Sequence, residues 1–70
     1  MFGAYIGKVN PGSPAQKAGL NVGDIITELN LRPVANAGDV ELALANIRPG
    51  GTAHLIFQRG NRVQRTQISF

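Results

Sequence analysis

The 70-residue sequence contains no cysteine and no tryptophan, and it has a single histidine, His54. The absence of cysteine excludes disulfide bonds, thiol catalysis and thiolate metal sites. One histidine and four acidic residues do not supply the converging ligands of a metal site. No run approaches the roughly 20 apolar residues that cross a bilayer. We therefore expect no metal, no cofactor and no direct membrane insertion.

Catalytic groups are also scarce. Nucleophilic catalysis needs a hydroxyl or thiol beside a base that a third group orients. Ser13 is better explained as a helix cap, and His54 falls at an outward-facing position of a predicted strand. Asp39 and Glu41 lie two apart on a predicted helix, so their carboxylates point in different directions. No catalytic residue is predicted, and elimination favours a binding module.

The formal net charge is +3, and Arg59, Arg62 and Arg65 lie close together near the C-terminus. We interpret them as a solvated hairpin edge whose charges discourage strand-to-strand aggregation. A nucleic-acid surface would need aromatic side chains among the basic ones, whereas Phe57 is predicted to lie in the core. No nucleic-acid partner is expected, and a small basic nucleic-acid-binding domain is the alternative from another class.

Turn and cap residues divide the first half of the chain. Residues 3–9 are rich in β-formers and stop at an Asn-Pro-Gly turn, which predicts a first strand. Ser13 caps a helix of barely more than one turn, which Gly19 ends. Asp24 is interpreted as a turn residue whose carboxylate accepts from nearby backbone N–H groups. Residues 24–30 predict a buried strand, followed by a turn and a short extended piece.

From Asn36 onward the apolar residues recur at the spacing of an amphipathic α-helix. Asn36 and Asp39 resemble a capping box, and the helix is expected to end near Arg48 because Pro-Gly-Gly follows. The apolar stripe of this helix comprises Ala37, Val40, Leu44 and Ile47. Side chains alternate between two faces in residues 52–58 and again in residues 63–70, and a tight Gly-Asn turn separates the two segments. This pattern predicts a β-hairpin.

This order predicts one domain over residues 1–70. The fold class is α+β: a partly open antiparallel β-barrel or sandwich with one short and one long helix.

The segment GAYIGKVNPGSPAQKAGL from Gly3 to Leu20, continued by GDIITELN from Gly23 to Asn30, resembles the signature of bacterial PDZ domains. In that family a strand leads to Pro-x-Ser-Pro-Ala, then Ala-Gly-Leu, then Gly-Asp-x-Ile. The later IRPG and RGN segments are similar to the helix end and final turn of PDZ domains in HtrA/Deg-family serine proteases. The resemblance covers nearly the whole chain.

The resemblance implies a non-catalytic module that takes an extended peptide as a strand beside a groove walled by the long helix. Carrying the family pattern across places Ala37, Glu41 and Leu44 toward this groove, with Val40 nearer the core. These four are the predicted peptide-binding residues. Two roles are open for Glu41. It could favour a basic or hydroxyl-bearing residue of the ligand, or it could be a solvated residue on the rim of the helix.

In the family, a carboxylate-binding loop and its strand precede the segment that aligns with Gly3 to Val9. Almost nothing precedes it here, so either that strand is missing or Met1 and Phe2 are its remainder, and no carboxylate-binding residue is assigned. An uncovered strand edge invites pairing with another chain. Self-association through this edge, or through the tail that ends in Phe70, is therefore a hypothesis.

The partners implied by the resemblance are peptide or protein C-termini, unfolded protein segments and the protease domain of a parent protein. The implied compartment is the periplasm or cell envelope. Site-2-type membrane proteases, C-terminal processing proteases and secretion components carry similar domains and are the alternative parents.

Overall fold

A computed structural model describes residues 2–70, so Met1 lies outside the described residues. The elements are β1 (Ala4–Tyr5), α1 (Pro14–Lys17), β2 (Ile25–Leu29), β3 (Arg32–Pro33), α2 (Ala37–Ala45), β4 (Thr52–Arg59) and β5 (Arg62–Ser69). The strands pair antiparallel in the order β1-β2-β4-β5, and β3 pairs with β2 outside this path. An open antiparallel sheet with one short and one long helix confirms the predicted α+β class.

Two-residue turns close both hairpins. Gly60 has φ +60° and begins the turn between β4 and β5, as expected for a type II′ turn. Between β2 and β3, Asn30 and Leu31 both have positive φ, 51° and 67°, which is the type I′ pattern. Leucine in this left-handed region costs about 1–2 kcal/mol. Its side chain is also 87% exposed, so packing does not offset the strain.

The core lies on one face of the sheet. The predicted alternation in β4 is confirmed, because Ala53, Leu55 and Phe57 are buried while His54 is exposed. The buried apolar residues are Ala4, Leu20, Ile26, Leu29, Val34, Ala53, Leu55, Phe57 and Ile68.

Side-chain caps begin both helices as predicted. The Ser13 hydroxyl accepts from the backbone N–H of Gln16 at 3.2 Å. Asn36 Oδ1 accepts from the N–H of Asp39 at 3.1 Å. Asp39 in turn accepts from the N–H of Ala35 at 2.8 Å, one residue before the capping position. The two side chains thus fix where α2 starts beside the sheet.

Helix α2 ends at Ala45, short of the predicted end near Arg48. The backbone N–H groups of Asn46 and Ile47 donate to carbonyls three residues back, at 3.3 and 3.1 Å. Such bonds tighten the last turn and stop the α-helical geometry before the Pro-Gly-Gly segment is reached.

Candidate functional site

The first strand is shorter than the predicted range 3–9, since only Ala4–Tyr5 form β1. It pairs with β2 alone, and because β2 begins at Ile25 the residues after Ile6 have no ladder partner. Gly3 lies so close to β2 that a Cβ atom there would sit 2.6 Å from the side chain of Ile25. The start of β1 therefore lies close against β2. The edge of β1 that faces away from β2 is not paired with any described strand.

The edge of β1 that faces away from β2 presents unpaired backbone groups. The N–H of Ile6 donates to the carbonyl of Asp24 at 2.9 Å. Because backbone groups alternate in direction along an antiparallel strand, those of Tyr5 and Gly7 point away from β2. No described strand pairs with this edge. An extended segment of another chain can add here through main-chain hydrogen bonds.

A cleft of about 270 Å³ lies between this edge and the first turns of α2. Three of the predicted site residues form its helical wall. Val40 is half-buried at the floor, while Ala37 and Glu41 are exposed along the rim. The lining residues are Ala4, Tyr5, Ile6, Gly7, Lys8, Ile26, Ala37, Val40 and Glu41.

A second cleft, of about 190 Å³, adjoins the first and shares four lining residues with it: Ile6, Lys8, Ile26 and Val40. Leu44, the fourth predicted residue, is 36% exposed and stands beside it. The lining residues are Ile6, Lys8, Ala15, Leu20, Ile26, Leu29, Val40, Leu44, Leu55 and Ile68. Nine of these ten are apolar, and several belong to the core, so the cleft suits an apolar side chain entering from the groove.

The structure therefore brings all four predicted residues to one groove, but sequence reasoning missed the wall that faces them. Ala4, Ile6 and Lys8 lie at alternate positions of the first strand segment and share one face. This period-2 spacing was the available signal. Lys8 places a cationic side chain on the strand wall of the groove, and Glu41 lies on the helical wall that faces it.

An ion pair between the buried Asp24 and the exposed Arg59 connects the loop before β2 to the end of β4. The Asp24 carboxylate, 1% exposed, accepts from Arg59 Nε at 2.9 Å and Nη2 at 2.8 Å, and from the N–H of Asn21 at 2.8 Å. Arg59 also donates to the carbonyl of Gly19 at 2.9 Å and lies 5.2 Å from the centre of the Phe57 ring. The hydrogen bonds from Arg59 lower the pKa of Asp24, although burial opposes them.

The contacts of Asp24 confirm its predicted role as a backbone-bonding turn residue. Arg59 is exposed, as predicted for the hairpin edge, and in addition its guanidinium binds Asp24. The sequence gives no local sign of this pairing. Since Leu20 follows the Gly19 carbonyl and lines the apolar cleft, the ion pair also positions part of the groove.

The C-terminal residue is paired with the loop after α2. The Phe70 N–H donates to the Gly51 carbonyl at 3.0 Å, and the Phe70 carbonyl accepts from Gly50 at 2.8 Å. A tail acting as a ligand for a neighbouring molecule would lose both bonds. Self-association through the tail or the strand edge stays a prediction.

Across residues 2–70, no three His, Cys, Asp or Glu side chains come together in a group that could hold a metal ion. No helix within that range is both long and apolar enough to cross a membrane. His54 is exposed, and its backbone N–H donates to Asn30 Oδ1 at 2.9 Å, which places it at the end of the β2–β3 hairpin.

The family model described as PDZ domain matches residues 2–70. This chain belongs to the PDZ domain family. A probable periplasmic serine endoprotease, DegP-like, of Rhizobium meliloti is 35% identical over 66 residues, which cover 94% of this chain and 13% of that protein. Serine protease HTRA1 of Xenopus tropicalis is 44% identical over 59 residues, which cover 84% of this chain and 12% of that protein. The PDZ chain thus spans a small part of each relative.

Solved structures give the same result. The HtrA3 PDZ domain bound to the phage-derived ligand FGRWV is similar with a TM-score of 0.82 and 32% identity, over 93% of this chain and 60% of that chain. A serine endoprotease from Yersinia pestis also has a TM-score of 0.82 at 32% identity, over 97% of this chain and 28% of that chain. The resemblance to HtrA/Deg-type PDZ domains is therefore confirmed.

Proposed function

We propose that this PDZ domain recognises C-terminal or unfolded peptide segments in the groove between the first strand and α2. The observation that carries the proposal is the apolar cleft that opens beside an unpaired strand edge. The edge supplies main-chain pairing, and the cleft beside Leu44 receives an apolar ligand side chain. The peptide-bound HtrA3 PDZ domain supports this reading because it shares the fold at 32% identity.

We further propose that the domain regulates or feeds an HtrA/Deg-like serine protease to which it is joined. Relatives named as periplasmic serine endoproteases support this parent over site-2-type proteases or secretion components. They also favour a periplasmic or cell-envelope location. In the parent, the carboxylate-binding strand of the family would pair with the open edge at Tyr5 and Gly7, and the peptide would then pair with the outer side of that added strand.

The test is a library of peptides with free C-termini, screened against the 70-residue chain and against the same domain joined to the residues that precede it in its parent. We expect peptides ending in an apolar residue to be selected, and more tightly by the longer form. If neither form binds any apolar C-terminus, the proposed function is wrong.

Two exposed leucines of α2 provide a matched pair of variants. Leu44→Lys places a charge at the apolar cleft and is expected to weaken peptide binding about tenfold or more, a loss of roughly 1.4 kcal/mol. Leu42→Lys changes the same residue type on a part of the helix that lines neither groove cleft, and should leave affinity within about twofold. Titration calorimetry measures both, and equal losses would place the peptide elsewhere.

A further inference from the structure

A further space lies behind α2, on the side of the helix that faces away from the groove. Ala37, Glu41 and Leu44 line the groove. Each of three residues on the rear side follows one of these by two positions, which is about 200° around an α-helix. The rear residues are Asp39, Ala43 and Asn46. The two sides of α2 therefore line different spaces.

The β2–β3 hairpin forms the other wall of this space. Leu29 is paired with Arg32, and the side chains of a cross-strand pair share one face of the sheet. Because Leu29 lies in the core, Arg32 extends on the core side as well, toward α2. Depressions of about 350 and 560 Å³ lie between hairpin and helix and share the lining residues Leu29, Arg32, Ala43 and Asn46. We name this continuous space the rear cleft.

One end of the rear cleft carries hydrogen-bond donors that have no partner among residues 2–70. Arg32 is exposed and has no ion pair, because the one salt bridge within that range joins Arg59 to Asp24. Asn30 Oδ1 accepts from the His54 N–H at 2.9 Å, which leaves the amide nitrogen of Asn30 available as a donor. Arg32 is the only charged residue among the described residues that line this end. These donors favour an anionic group, above all a carboxylate.

The other end of the rear cleft is mainly apolar. Leu42, 70% exposed, lines it together with the buried side chains of Leu29 and Val34. Asp39 lies at this end too, but its carboxylate already accepts from the N–H of Ala35 at 2.8 Å. An exposed leucine beside a buried apolar floor suits an apolar side chain. The rear cleft thus joins an apolar end to a cationic one.

We propose that the rear cleft is a second binding site, which takes a segment of a partner protein that carries an acidic residue beside an apolar one. The carboxylate accepts from Arg32 and Asn30 in charge-assisted hydrogen bonds. The apolar neighbour packs against Leu42 and Val34. Because α2 separates the rear cleft from the groove, both sites can be occupied at once. Binding at the rear cleft does not depend on the function proposed for the groove.

The probe is the blocked peptide acetyl-Ala-Leu-Glu-Leu-Ala-amide, which has no free carboxyl terminus. Backbone amide shifts of isotope-labelled protein are followed by NMR as the peptide is added up to about 10 mM. We expect a dissociation constant of about 1 mM, weakened by added salt, with shifts at Leu29, Ala43 and Asn46 and not at Tyr5 or Gly7. The same peptide with glutamine in place of glutamate should bind about fivefold more weakly or worse.

Two arginine variants form a matched pair. Arg32→Gln removes the cation of the rear cleft and should weaken binding of the glutamate peptide about fivefold or more. Arg62→Gln removes an exposed cation at the opposite end of the sheet and should keep the dissociation constant within about twofold. Equal losses would indicate general charge attraction and would overturn the proposal. Shifts confined to the groove, or no shifts at all, would also overturn it and would leave the result for free C-termini at the groove unaffected.

Discussion

Asp24 and Arg59 lie 35 positions apart in sequence and together tie the α1–β2 loop to the end of β4. The carboxylate is buried, so its charge is tolerated only because three hydrogen bonds reach it. Removing Arg59 would leave the buried Asp24 carboxylate uncompensated. At the residue scale, this pair is where a change to a polar side chain should affect stability most.

We expect Asp24→Asn to lower the free energy of unfolding by about 1–3 kcal/mol at neutral pH, since charge-assisted bonds to Arg59 are lost. The effect should depend on pH. The folded-state pKa of Asp24 is lowered below its ordinary 3.8, so the stabilisation is fully present above that value. It is lost as the pH falls through the lower folded-state pKa.

Urea denaturation of both proteins between neutral pH and about pH 2 measures this prediction. The gap in unfolding free energy should be constant above about pH 5 and should narrow in acid. A gap that does not change with pH would show that the loss comes from altered packing and not from the carboxylate charge.

At the scale of elements, α2 is the least firmly held wall of the groove. It has nine residues, and none of the described helix is fully buried. Val40 and Ala43 are only partly buried where they pack against the core. A helix of this length is marginal without tertiary support, so its caps carry a large share of its stability. The hairpin of β4 and β5, with eight residues in each strand, is more extensively paired.

Asn36→Ala removes the side chain that caps α2 and should destabilise the helix by about 0.5–2 kcal/mol. Amide hydrogen exchange in α2 should accelerate, while amides of β4 and β5 should change less because they open with the whole domain. Peptide affinity should fall in parallel, since the wall would be ordered less of the time. Equal acceleration in helix and hairpin would mean that α2 does not open on its own.

Caps and tight turns were predictable because Ser13, Asn36 and Gly60 act on residues no more than four positions away. The end of α2 was not, because it depends on the geometry of the last turn. The pairing of Arg59 with Asp24 depends on how distant parts of the chain meet, which hydrophobic period does not encode.

Considered as a whole, the molecule is small and its core is not closed. Seventy residues lie near the size at which one core barely offsets the entropy of ordering. Here the core residues Leu29, Leu55 and Ile68 line a cleft beside the open strand edge. A ligand side chain in that cleft would complete the packing, so peptide binding and folding stability should be coupled.

The gain in folding stability on peptide binding follows from mass action. A peptide that binds only the folded state adds about 2.7 kcal/mol of stability at a free concentration 100 times its dissociation constant. For a domain of this size, that corresponds to a rise in melting temperature of roughly 10–20 °C. Calorimetric melts with increasing peptide measure the rise. If Leu44→Lys weakens binding tenfold, that variant should show about half of the rise at the same peptide concentration. A peptide that binds by titration yet leaves the melting temperature unchanged would contradict an occupied cleft, because binding specific to the folded state must stabilise it.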